Sequence, residues 1–208
     1  QVGQTQGSAQ NNADNECSAS TAAIIGGILG ALLTDGKNRV RGAALGAGLA
    51  SLACVAWNYN SKQTKTAAQV EQEYKVANAG QLPVRSTVTR YESSLESGAT
   101  IARGKEMLVA SNIEIVQGTA DKSPIIEEEF QLSGTDGKEI KRTRKKANDN
   151  LGAGGYSTRF SITMPKGVPQ GEYPVQTVLY VNGERMAEKN LKVQVVSLPH
   201  GELVALVR

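Results

Sequence analysis

The chain is poor in aromatic residues, cysteine and histidine, and each scarcity narrows what it can be. Aromatics make up 4% of its 208 residues, so any core is mostly aliphatic. The single histidine, His200, has no cysteine or carboxylate cluster around it. An ordinary zinc site needs three or four ligands, so no metal site is expected. There is no P-loop and no GxSxG elbow. Gly152-Ala153-Gly154-Gly155 lacks the strand-then-helix setting of a phosphate cradle and reads as a flexible connection. Glu127 and Glu129 read as solvated carboxylates on an alternating strand. Nothing around them suggests the apolar setting that would raise an acid's pKa for catalysis. No catalytic residue and no cofactor are expected, and the chain reads as a non-enzyme.

Strong charge is also lacking. The net charge is +3, and electrostatic binding of nucleic acid needs a clustered basic face. The densest basic run, KEIKRTRKK at 138–146, contains no aromatic for base stacking. It follows the acids Glu127-Glu128-Glu129, which suggests a solvated strand pair with opposite charges across it. No nucleic-acid partner is expected.

Long apolar runs are absent too. A helix needs about 20 apolar residues to cross a bilayer, whereas Thr21–Leu33 offers 13 and Gly42–Trp57 offers 16. These two runs nevertheless carry the most distinctive pattern in the chain. Ala22, Gly26 and Gly30 recur at every fourth position in the first, and Gly42, Gly46 and Ala50 do so in the second. Residues four apart share a helix face, and small ones there let two backbones approach closely. Folded about Asp35-Gly36 as an antiparallel hairpin, Gly30 meets Gly42, Gly26 meets Gly46, and Ala22 meets Ala50. The same register sets Cys54 opposite Ser18, next to Cys17. The chain opens at Gln1 without methionine or signal peptide, as a processed secretory protein or a trimmed one would. In an extracytoplasmic setting, Cys17 and Cys54 are expected to pair as a disulfide; free thiols are the main alternative. Asp14-Asn15-Glu16 is a poor context for lipidation of Cys17.

Four segments follow. Residues 1–18 form a polar tail, 19–80 the helical hairpin with an amphipathic helical extension, 81–197 a β-sandwich, and 198–208 an extension strand. In the second segment, Ser61–Ala79 keeps Ala67, Val70, Tyr74 and Ala77 at helical spacing. Beyond Leu82 the period becomes two. Candidate strands lie after Pro83, at 107–116, at 126–132, at 156–164, and at 171–181 and 186–196 flanking the hairpin signal Asn182-Gly183. Glu128 interrupts the apolar face of Ile126, Phe130 and Leu132, which suggests a bulged or edge strand. Tyr173 after Gly171 resembles the tyrosine corner of immunoglobulin-like domains, although an ordinary interface tyrosine reads nearly as well. The apolar run Leu203–Val207 either adds an edge strand to its own domain or pairs with a neighbour's edge. The fold class expected is therefore segregated α+β, a glycine-zipper helical hairpin followed by an all-β immunoglobulin-like sandwich.

The stretch IIGGILGALLTDGKNRVRGAALGAGLASLA resembles the glycine-zipper hairpin of bacterial outer-membrane and surface-antigen proteins. AAQVEQEYKVANAGQLP and GVPQGEYPVQTVLYVNG are similar to the remainder of proteobacterial envelope proteins of that type. The resemblance implies a structural protein in the periplasm, outer membrane or cell surface of a Gram-negative bacterium. Three settings fit the hairpin. It contacts lipid, with Trp57 and Tyr59 at one interface and its basic tip at the other; it packs on copies of itself; or it rests on the β domain. A homo-oligomer is the expected partner state, with lipid contact and an envelope-complex partner as further possibilities. The rival functions are a subunit of an extracellular filament and a pore or accessory component of an outer-membrane transport or motility complex.

Overall fold

A computed structural model describes residue 49 and residues 51–198. These fall into two units, the chain up to Val55 with the loop Pro165–Pro169, and Ala56–Met164 with Gln170 onward. In the first unit, residues 51–54 form one helical turn with Leu52 buried. In the loop, the Val168 amide donates to the Pro165 carbonyl at 3.3 Å, and the Val168 side chain is buried.

The described residues of the second unit form nine strands and one helix. In chain order they are β1 (Asn58–Lys65), α1 (Ala67–Ala77), β2 (Thr87–Leu95), β3 (Thr100–Ala102), β4 (Glu106–Val116), β5 (Ile126–Ser133), β6 (Glu139–Lys146), β7 (Gly154–Thr163), β8 (Gly171–Val181) and β9 (Glu184–Val196). One sheet has the order β1-β7-β4-β2, the other β3-β9-β8-β5-β6. All pairings are antiparallel except β3 with β9. The chain passes from β2 in one sheet to β3 in the other, while β8 and β9 form a hairpin beside β5. This is the strand order of an immunoglobulin-like sandwich, with β1 in the outer place beside β7.

Alternation along the strands sends one side chain in two to a shared core. Ile113 and Ile115 of β4, Tyr156 of β7, Ile126 of β5, and Leu179 and Val181 of β8 form one buried cluster drawn from both sheets. At the Asn182-Gly183 turn both residues have positive φ, 52° and 81°. That is the type I′ geometry whose twist matches the flanking strands, and the sequence signal there is correct. The Glu-rich and Lys/Arg-rich strands also pair as read, with Glu127 opposite Lys146 and Glu129 opposite Arg144.

Several expectations need correction. The described residues are 54% strand and 11% helix, so the fold is mainly β and not a segregated α+β with a helical hairpin. Residues 58–65, read as helical, are an edge strand with alternating burial that pairs with β7 from Asn58 opposite Ser161. The sandwich therefore begins well before residue 81. The helix is confined to Ala67–Ala77 because Thr66 caps it. The Thr66 side chain accepts from the Gln69 amide at 3.2 Å, and the Gln69 side chain accepts from the Thr66 amide at 2.8 Å. This reciprocal box starts a helix where a strand has just ended. Trp57 and Tyr59 pack on aromatic residues of the β domain. The Trp57 ring stacks edge-on against Phe130 at 4.1 Å, and Tyr59 lies 4.6 Å from Phe160. Gly152–Gly155 is not a loose connection either, since Gly154 and Gly155 begin β7. A Cβ at Gly154 would lie 2.6 Å from the Lys65 carbonyl oxygen.

Because half-buried Trp57 packs edge-on against Phe130 and reaches Phe160, Trp57→Ala is expected to cost about 3 kcal/mol, the low end for a large aromatic. Urea unfolding followed by circular dichroism checks this; a loss below about 1 kcal/mol would mean the ring adds little to packing.

Candidate functional site

Three glutamates in a row occupy β5, with β8 on one side and β6 on the other. The strand is neither an edge nor bulged at Glu128, and the strand's one irregularity lies at Leu132/Ser133. Glu128 has the same parity as Ile126, Phe130 and Leu132, so it points into the sandwich, where it is fully buried. Hydroxyls of the opposite sheet meet it there. Tyr91 of β2 donates to Oε1 at 3.1 Å, and Thr158 of β7 donates to Oε2. Burial pushes the carboxyl above its ordinary range, while hydrogen bonds from Ser111, Thr158 and Tyr91 pull it part of the way back. Among the described residues no cation forms an ion pair with Glu128. The polar cluster extends further, since Ser93 Oγ lies 2.8 Å from both Ser111 Oγ and Thr177 Oγ1. The Tyr59 and Tyr91 phenols are pushed up, first by burial and then by the Glu128 charge.

Glu129 points the other way, onto the outer face of the same sheet. It was read as solvated, but its side chain is only 7% exposed. Arg144 lies opposite it at 3.2 Å and also stacks over the Tyr180 ring, 3.5 Å from the centroid. Arg142 approaches at 3.6 Å. The strand pair thus buries one acid inward and pairs another outward.

The third feature is a cleft of about 350 Å³ between α1 and strands β2 and β4, floored by Val70, Tyr74, Ala77 and Val88. Its rim is held by Lys65, whose ammonium meets Glu73 at 2.8 Å and Glu114 at 3.0 Å. Only Val70 of α1 is buried, so the helix covers its side of the sheet incompletely.

The residues singled out from the sequence meet the structure unevenly. Cys17, Ala22, Gly26, Gly30, Gly42, Gly46 and Ala50 lie outside the described residues. Cys54 is half-buried, and its expected partner Cys17 is among the residues not described. Tyr173 is fully buried at the start of β8, its phenol pushed up to about 12 by burial. Among the described residues no cluster of histidine, cysteine and acidic side chains has metal-binding geometry. No helix among them is long and apolar enough to cross a membrane.

No protein-family model matches the chain, and no curated protein does. Several solved structures are similar in backbone. The CARDB domain of a Pyrococcus furiosus protein is 13% identical, covering 54% of this chain and 96% of its own, with a TM-score of 0.37. The sporulation control protein Spo0M of Bacillus subtilis is 17% identical over 55% of this chain and 50% of its own, at 0.34. The C-terminal domain of wzt is 8% identical over 57% and 78%, at 0.36. The β-sandwich assignment rests on the two sheets themselves, not on these distant likenesses.

The inward glutamate was detectable from parity, because an acid sits on the face of Ile126, Phe130 and Leu132. Its hydroxyl partners were not, since they come from three separate strands. The carboxyl has the chemistry of a general acid, but it is sealed from solvent and held by core hydroxyls.

A carboxyl whose folded pKa is raised stabilises the fold most at low pH. That stability is fully present below the unfolded value, about 4.3, and is lost as pH rises toward the folded pKa. Glu128→Gln keeps an acceptor for Tyr91 and Thr158 but cannot ionise. The variant is expected to match the parent near pH 4 and to exceed it in urea midpoint at pH 7–8. Equal midpoints across that range would show that Glu128 ionises in the core at no cost.

Proposed function

We propose that this chain is a non-enzymatic structural protein of a bacterial envelope or cell surface, which self-associates and presents a β-sandwich. One observation carries the reading. The strand pairings put the start of β1 and the end of β9 at the same end of the sandwich. The five large apolar side chains that stand exposed among the described residues are Val76, Val84, Ile125, Leu151 and Met186. All five fall at the opposite end, around α1, the β4–β5 and β6–β7 loops and the Asn182-Gly183 turn. A module attached at one end with apolar residues at the other suits display and contact. The sealed state of Glu128 supports a structural role for the acid most suited to chemistry. The small residues Gly26, Gly30, Gly42 and Gly46, with Cys17 and Cys54, support close chain-to-chain packing in an extracytoplasmic setting.

The test is native mass spectrometry of the full chain, with and without detergent, alongside Gly46→Leu. The parent is expected to exceed one 22.0 kDa chain, and Gly46→Leu to lose higher species while keeping the sandwich's melting temperature. Cell fractionation should place the protein in the envelope. A parent that is monomeric in both conditions, or confined to cytosol, would sink the reading.

A further inference from the structure

The α1–β2 cleft has no described occupant, and the chain carries a segment whose chemistry fits it. Among the described residues, β2 pairs only with β4, so its other edge has no hydrogen-bonded strand, although β9 of the facing sheet approaches β2. An open edge accepts an extended segment by backbone hydrogen bonding, with alternate side chains filling the hollows beside it. Here the hollow is the cleft floored by Val70, Tyr74, Ala77 and Val88. Its volume lies at the low end of the roughly 300–1,000 Å³ typical of binding sites. The residues 202–208, Glu-Leu-Val-Ala-Leu-Val-Arg, are apolar at five successive positions. A strand with apolar side chains on both faces suits burial against a sheet edge and a helix together. Arg208 follows the run, and the cleft rim carries Glu73 and Glu114, both of which already pair with Lys65.

Reach decides which copy supplies the segment. Val196 lies opposite Ala102, and the chain then turns into Glu106, the first residue of β4. The cleft lies at the other end of β4, beside Glu114, with Thr87 and Val88 opposite Val116 and Ile115. Eight to ten residues of strand separate the two levels, roughly 26–33 Å at about 3.3 Å per residue. Leu203–Val207 lie five to nine residues beyond Leu198, the last described residue, so even a fully extended chain brings them only about 17–30 Å from it, and the run as a whole cannot lie along the cleft. A neighbouring copy has no such limit.

We infer that Leu203–Val207 of one chain docks into the α1–β2 cleft of a second copy, so that subunits join head to tail. This rests on the self-associating reading and gives it a second contact, separate from the glycine-rich stretch. Donor and acceptor surfaces differ, and such heterologous contacts extend into filaments unless rotation closes a ring.

The probe is a synthetic peptide of residues 201–208, titrated calorimetrically into the full chain carrying Leu203→Asp and Leu206→Asp. Those changes disable the chain's own segment. The peptide is expected to bind, and to bind at least tenfold more weakly once Ala77→Arg is added. Tyr74→Ala serves as a second acceptor variant if the first fails to fold. Failure of the peptide to bind the folded double variant, or equal binding with and without Ala77→Arg, would overturn the inference. A monomeric parent that refuses the peptide and loses melting temperature on the donor changes would also overturn it, in favour of docking within one chain. The Gly46→Leu experiment reads the proposed function independently, so the two ideas fail by different results.

Discussion

The interaction on which the sandwich depends is the burial of one carboxyl between two sheets. Glu128 enters the core from β5, and its partners Tyr91, Ser111 and Thr158 come from β2, β4 and β7 of the other sheet. A buried polar group without partners is costly, so each hydroxyl must arrive at the right level. The side-chain period of a strand is two, and a one-residue slip would send Glu128 outward and bring Glu127 and Glu129 in. The same slip would part Glu129 from Arg144 and Arg144 from Tyr180. Inner and outer faces of β5 therefore enforce one register together.

That register propagates to the ends of the sandwich. With β5 set between β8 and β6, Ile126 falls opposite Val181, which places the Asn182-Gly183 turn beside Ile125. The Asn182 side chain accepts from the Ile125 amide at 2.9 Å, and the Asn182 amide donates back to the Ile125 carbonyl at 2.8 Å. The β6–β7 loop is tied in by buried Asn148, whose amide nitrogen reaches the carbonyls of Pro124 and Gly152. Loops fixed in this way can hold apolar side chains at the surface without collapsing onto them. The cleft under α1 belongs to the same end, because the helix follows directly from the last residues of β1.

Much of the sandwich was legible in the chain. Period-two runs at 107–116, 156–164 and 171–181 match β4, β7 and β8 to within a few residues, and the Asn-Gly hairpin is where its residues require it. The misreadings share one cause. Asn58–Lys65 is polar and lies between an apolar run and a helix, so neighbouring periodicity pulled its reading toward helix. Only the free edge of β7 makes it a strand. The three-residue β3 has no internal pattern and exists because β9 offers it a parallel edge. Glu129 looked solvated because its cover, two arginines and a tyrosine, comes from β6 and β8.

The chain by itself determined the local grammar: where strands alternate, where Asn182-Gly183 turns, and where Thr66 and Gln69 start a helix. These depend on residues within a few positions of one another. Only the tertiary structure decided that Glu128 is sealed in the core, that Trp57 packs against its phenylalanines, and that a cleft opens beside β2. Each of those depends on groups tens of residues apart meeting across two sheets, and no local pattern encodes that meeting.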